Sequence, residues 1–346
     1  MLLRKCDTIN TSELENYNPE LVLGTYNFNF YFDGKTAFLV DRPDGREDVT
    51  ILKITPKNNI AIRRFVCSHN LITRIKLSIG YYDNIRRFIE ATRDDPLLGC
   101  AYKYSGLRVR RLSPWIASIV ALAQQNNSFR NAWRSLARFI ARYSDIQRIY
   151  RRQVYIPYDP GRMLCKIMGY KGFYKGPEYC LAKFDQAKSR DKSIIKRNLK
   201  EISEETGLGY RVNTLLNLAY SFTAGDVAIN NPDRFYRSLL EIKGFGEYSA
   251  RLAALLAFGR YRLPPIDRWT IKLASVAYGI PERYDVVEDE FIYRFKHDSG
   301  LAIFFLTVLL DAEPTKKALT RIKQGRICPE VTDRPTPLTL WKYELQ

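Results

Sequence analysis

The chain has 346 residues, 46% of them hydrophobic, enough for a real core in two domains or one large one. Lysine and arginine outnumber the acids to a formal net charge of +18, which favours a polyanionic partner. No apolar run approaches the roughly 18 residues needed to span a bilayer, and the N-terminus lacks the long apolar stretch of a secretion signal, so an intracellular location and no membrane partner are expected.

Residues 20–66 alternate in the manner of short strands, with turn signals at Asp33-Gly34 and Pro43-Asp44-Gly45. They predict an antiparallel sheet of hairpins inside an N-terminal β-rich domain, residues 1–93. From about Leu71 the pattern is helical. Ser113-Pro114 opens a helix with Trp115, Ile116, Ile119 and Val120 on one face. A polar corner, Gln124-Gln125-Asn126-Asn127-Ser128, separates it from a second amphipathic helix carrying Phe129, Trp133, Leu136, Ile140 and Tyr143. Taken alone, that corner is a solvated turn capped by Ser128 or a functional surface.

Residues 145–200 are rich in tyrosine and lysine, which suits nucleic-acid contact or ordinary packing. Gly207-Leu208-Gly209-Tyr210-Arg211 reads as a glycine-rich helix start. Asn231-Pro232 caps a further helix whose apolar face is Leu239, Leu240 and Ile242. Gly244-Phe245-Gly246 breaks it, and a new helix runs from about 248 to 258. Amides at that helix start, with Lys243 beside them, form a ready phosphate site, although a plain helix–helix turn fits Gly-x-Gly equally well. After Pro264-Pro265, Ile266-Asp267 enters another helix over 267–278, where Asp267 by itself suits an N-cap. An apolar helix covers 301–306, and 312–346 reads as a docked or partly ordered tail.

The run Ile242-Lys243-Gly244-Phe245-Gly246-Glu247-Tyr248-Ser249-Ala250, followed by Pro265-Ile266-Asp267, resembles the helix–hairpin–helix superfamily of DNA glycosylases. That family carries Leu-Pro-Gly-Val-Gly in its hairpin, then a Pro-Val-Asp turn holding its essential aspartate; Lys243 stands at the family's proline. Residues 94–98 and 106–109 resemble the junction into the core in the 3-methyladenine and 8-oxoguanine branch. The resemblance implies an α+β fold, with a small N-terminal antiparallel β domain followed by a mostly α-helical core over 94–311. The helix–hairpin–helix would occupy about 232–259.

The resemblance also implies roles. Asp267 would be the catalytic carboxylate, stabilising the oxocarbenium-like sugar as the base leaves. Lys243, Gly244, Phe245, Gly246 and Tyr248 would grip DNA phosphate. Asn126, or else Gln125, would fill the stack after a base is flipped out. Tyr248 occupies the position of the family's Schiff-base lysine, which implies a water-using, monofunctional enzyme without strand cleavage. Ile303 and Thr307 stand where the oxidised-guanine branch has its gripping Gln and stacking Phe, so Tyr210, Trp269, Phe304 and Phe305 are the pocket candidates. Alkylated or deaminated purines are expected ahead of 8-oxoguanine or a mispaired base. The expected partner is double-stranded DNA containing a damaged base, met by a monomer. A non-catalytic helix–hairpin–helix DNA-binding protein is the competing class, and it would have no need of Asp267. An RNA-binding protein is disfavoured, because the sequence has neither the aromatic strand signature nor the clamp motif of the common RNA modules.

Six cysteines, Cys6, Cys67, Cys100, Cys165, Cys180 and Cys328, form no Cys-x-x-Cys pair, and His69 and His297 are the two histidines. Some relatives hold an iron–sulfur cluster after the aspartate helix, but Cys328 stands alone there. No metal or cofactor is therefore expected, and the cysteines are expected as buried thiols.

Overall fold

The computed structural model describes residues 4–27, 31–41, 48–64, 67, 70–149, 152–170, 174–190 and 192–343. Alternating apolar residues near the N-terminus build a four-stranded antiparallel sheet from β1 (Arg4–Ile9), β2 (Thr36–Asp41), β3 (Asp48–Ile54) and β4 (Ile60–Arg64), in the order β1-β4-β3-β2. Register sets Ile9 opposite Ile60 and Leu52 opposite Ile62, so these side chains share one buried face. Helix α1 (Pro19–Gly24) and helix α2 (Leu71–Ser78) cover that face with Val22, Leu23, Leu71 and Ile75.

Helix α1 corrects the expectation of a strand from residue 20. Asn18 accepts a hydrogen bond from the Leu21 amide and Pro19 takes the first turn, so capping outweighs the β preference of Leu-Val-Leu. Strand β1 lies outside the stretch where strands were expected. The Pro43-Asp44-Gly45 turn, His69 and residues 171–173 fall outside the described residues.

The rest is mainly helical. Helix α3 (Arg86–Ala91) is followed by α4 (Pro114–Gln124), α5 (Phe129–Arg142), a hairpin of β5 (Ser144–Ile149) and β6 (Arg152–Pro157), then α6 (Pro160–Ile167), α7 (Pro177–Arg190) and α8 (Ser193–Thr206). Next come α9 (Val212–Ala224), α10 (Pro232–Leu240), α11 (Glu247–Phe258), α12 (Arg268–Tyr278), α13 (Tyr284–Phe295), α14 (Ser299–Leu309) and α15 (Thr315–Lys323). Small N-terminal sheet and large helical remainder together make the α+β architecture. Among the described residues no helix is long and apolar enough to cross a membrane.

Two compact units divide the chain. Among the described residues, the first joins 4–111 to 259–343 and the second spans 112–258. In the second unit α4 is the central rod, buried from Ala117 to Ala123 and packed on α11. Its Trp115 begins an aromatic chain through Phe222 and Phe235 to Phe258. In the first unit Phe88 on α3 packs against Phe305 of α14 and Phe295 of α13. Residues 312–343 are an integral part of this unit. Arg321 of α15 is 3% exposed and ion-paired to Asp311 and Glu313, and Trp341 packs edge-on against Phe32.

All six cysteines are in disulfides: Cys6–Cys67, Cys100–Cys328 and Cys165–Cys180. This corrects the expectation of buried thiols. Spacing along the sequence carried no sign of the pairing, because the longest bridge spans 228 residues.

Candidate active site

In the second unit, three separate stretches meet around the turn between α10 and α11. Asn231 caps α10, accepting from the Asp233 and Arg234 amides. The helix ends at Leu240, and the Ile242 carbonyl beyond it receives the Phe245 amide at 2.9 Å to close the turn. Phe245 is 2% exposed and anchors the turn in the core, leaving Lys243, Gly244 and Gly246 on the surface. Gly244 adopts φ +90°, and a Cβ there would collide with the Thr214 hydroxyl, so only glycine fits. Gly246 has open space around it. The first amides of α11 have no partner within their own helix and lie at its positive end. Glu247 in that turn is held by Tyr236 at 2.6 Å and Arg251 at 2.9 Å. Tyr248 takes the second position of α11 and is half-buried.

The polar corner between α4 and α5 is hydrogen-bonded to this turn. Gln125 donates through Nε2 to the Gly244 carbonyl at 3.0 Å. Arg211 donates to the carbonyls of both Gln125 and Asn126. The guanidinium in turn lies 4.7 Å from the Tyr210 ring, which is 59% exposed. Asn126 is exposed at the tip in a left-handed conformation, φ 47°, which asparagine tolerates well. Of the two wedge candidates, Gln125 therefore faces inward and supports the turn, while Asn126 is presented outward. Asn217 adds a bond to the Lys243 carbonyl at 3.0 Å.

In the first unit, Asp267 caps α12 with extended backbone, and its Oδ1 accepts from the Thr270 amide at 2.7 Å. Burial pushes its carboxyl above the usual carboxylate range, and the amides at the helix start offset only part of that. No lysine or arginine pairs with it among the described residues. The residue keeps a partly exposed edge. Trp269 is turned to structural use: its Nε1 donates to the Glu313 carbonyl at 2.8 Å, docking α12 onto the segment that Arg321 holds. Phe305 is fully buried against Phe88, so its ring belongs to the core. Phe304, 8% exposed, meets the Tyr26 ring at 5.2 Å. Burial holds the Tyr26 phenol well above its usual range, with Thr307 offsetting part of that and the Asp267 charge adding to it.

No family model matches the chain, and no curated protein does. Solved structures do. The 3-methyladenine DNA glycosylase from Archaeoglobus fulgidus superposes with a TM-score of 0.61 at 15% identity, covering 88% of this chain and 97% of its own. The Clostridium acetobutylicum 8-oxoguanine glycosylase/lyase, bound to double-stranded DNA with cytosine opposite 8-oxoguanine, gives 0.58 at 14%, covering 84% and 91%. MBOgg1, in complex with a low-affinity DNA ligand, gives 0.58 at 16% with the same coverage. The chain has the helix–hairpin–helix DNA glycosylase fold.

Asp267 lies in the first unit, and the hairpin and polar corner lie in the second. Tyr26 is the residue that sequence reading passed over. Its segment, Gly24-Thr25-Tyr26-Asn27, looked like strand, and only a fold that brings it beside α12 and α14 reveals its neighbours. The arginine of the Gly-Leu-Gly-Tyr-Arg element was likewise without an assigned role. It supports the corner through two carbonyls.

Proposed function

We propose that this chain is a DNA glycosylase, which flips a damaged base out of duplex DNA and hydrolyses its N-glycosidic bond with the help of Asp267. One observation carries the reading. Asp267 is a largely buried carboxylate that keeps one exposed edge and has no cationic partner among the described residues, in a protein of net charge +18. An uncompensated buried charge is costly, and proteins normally pair or remove it. A substrate whose sugar becomes cationic in the transition state provides the missing partner at the moment it is needed. Water attacks C1′ as the bond to the base breaks, the base departs with the bonding electrons, and Asp267 stabilises the charge and orients or deprotonates the water.

The hairpin of Lys243, Gly244, Phe245, Gly246 and Tyr248 supports a phosphate grip, and outward-facing Asn126 supports a wedge. A non-catalytic DNA-binding protein would use both but has no use for Asp267. Tyr248 offers no amine at the lyase position, which supports a monofunctional reaction ending at an abasic site. Phe304 and Tyr26, in the same unit as Asp267, support an alkylated or deaminated purine, with 8-oxoguanine second. We place the enzyme inside the cell and acting as a monomer.

The test is incubation with a panel of duplexes, each carrying one lesion, followed by alkali and a length readout. Alkali-dependent cleavage at one lesion is expected, with no cleavage before alkali and no adduct trapped by borohydride. A chain that binds these duplexes but releases no base from any of them would be a binding module.

A further inference from the structure

Helix α5 carries an arginine at every fourth position, Arg130, Arg134, Arg138 and Arg142, and contains no acidic residue. Its other face is fixed in the core by Ala132, Trp133, Leu136, Ala137, Phe139 and Ile140, so the arginines form one exposed row. Arg142 is taken by Glu205 of α8, through Nε at 2.8 Å and Nη2 at 2.6 Å. Arg130, Arg134 and Arg138 make no ion pair or hydrogen bond among the described residues. Of the elements packed on α5, α4 and β6 contain no acid, and α8 brings Glu201, Glu204 and Glu205. Glu205 holds Arg142, and Glu204 faces Lys200 at 3.8 Å.

Such a row is unfavourable for the helix itself. Like charges four residues apart repel, and Arg130 in the first turn also meets the positive end of the helix dipole. An ordinary solvated face would interleave glutamates with the arginines, and α5 has none. A polyanion that supplies the missing charge accounts for the row. Its place and dimensions suit DNA. It starts just after Ser128, which caps α5 two residues beyond the exposed Asn126 of the polar corner, all within the second unit. At a rise of 1.5 Å per residue, Arg130 to Arg138 spans about 12 Å. That covers about three to four phosphates of one strand, at 3.4 Å each along the duplex axis. Guanidinium forks bind phosphate oxygens in pairs, and a helix held by its core face presents them already aligned. No large apolar side chain is exposed among the arginines, so the face offers nothing for insertion into a lipid surface.

We propose that Arg130, Arg134 and Arg138 form a second phosphate-binding surface, additional to the hairpin, which holds one strand of the duplex beside the polar corner. The proposal rests on the DNA-binding part of the function proposed above. It is tested without any excision, so the two can fail separately.

Affinity for an undamaged DNA duplex is measured over a range of salt concentrations. The triple variant Arg130→Gln, Arg134→Gln, Arg138→Gln is expected to reduce the slope of log affinity against log salt by about 2–3, since each phosphate contact contributes about 0.9. The loss should be alike for unrelated duplex sequences, and the matching Arg→Lys variant should keep a slope near wild type. Lys316, Lys317 and Lys323 are exposed on α15 of the first unit and serve as a control. Changing those three to Gln removes the same charge and should alter the slope by less than about 1. The thermal midpoint of the arginine-to-glutamine variant should not fall, because like-charge pairs are removed. The proposal is overturned if that variant keeps a slope within about 0.5 of wild type, or if the α15 control lowers it equally. It is overturned also if weaker binding comes with a lower thermal midpoint, or if the row is needed for duplex RNA and not for duplex DNA.

Discussion

Asp267 is a helix cap and, in the function proposed above, the catalytic carboxylate. It caps α12 through the Thr270 amide, and the same buried position leaves its carboxyl raised and without a cation. A carboxyl raised by folding costs stability in its charged form. That cost is absent below the ordinary carboxylate value of about 3.9 and grows as pH rises through the folded value. Asn is an equally good cap and carries no charge. Asp267→Asn is therefore expected to be more stable than the wild type at pH 7, with the difference vanishing near pH 3. Denaturant melts at the two pH values check this, and a variant less stable at pH 7 would mean the carboxylate is a net stabiliser. Excision by the wild type should lose its acid limb at a pH above the ordinary carboxylate value.

At the scale of elements, legibility followed local chemistry. The hairpin, the polar corner and α12 could be read because glycine, proline, asparagine and serine at helix ends have few other uses. Thus Asn231, Ser113, Ser128 and Asp267 all cap the helices assigned to them. Helix α1 was misread because Leu-Val-Leu fits either period over so short a run, and Asn18-Pro19 was the decisive signal. The pocket was harder still. On α14 almost every side chain is buried, so its sequence does not distinguish Phe304, beside Tyr26, from Phe305, in the core. The two hairpin glycines separate conformation from charge. Gly244→Ala should cost about 1–3 kcal/mol, since its φ of +90° and the Thr214 hydroxyl both oppose a Cβ. Gly246→Ala, with open space around it, should change stability by less than about 0.5 kcal/mol. Equal losses in thermal melts of the two variants would show that the turn tolerates neither or both.

For the whole molecule, the disulfides and the charge define how the fold is kept and what it meets. Cys100–Cys328 ties the C-terminal segment to the N-terminal half of its unit, close in sequence to the Arg321 network that docks Trp269. Closing loops of this kind stabilises by about 2–4 kcal/mol each. Reduction should therefore lower the thermal midpoint by at least about 5 °C. Thiol titration of the unreduced, denatured protein should find no free cysteine. Unchanged melting under reductant would show that the bridges contribute nothing to the folded state.

The central claim is that Asp267 acts on the transition state and not on DNA binding. The direct measurement is single-turnover excision by Asp267→Asn on whichever lesion duplex the wild type cleaves, with affinity for the same duplex measured alongside. The account predicts excision slower by roughly 10²-fold or more at nearly unchanged affinity. Excision at near wild-type rate would contradict it.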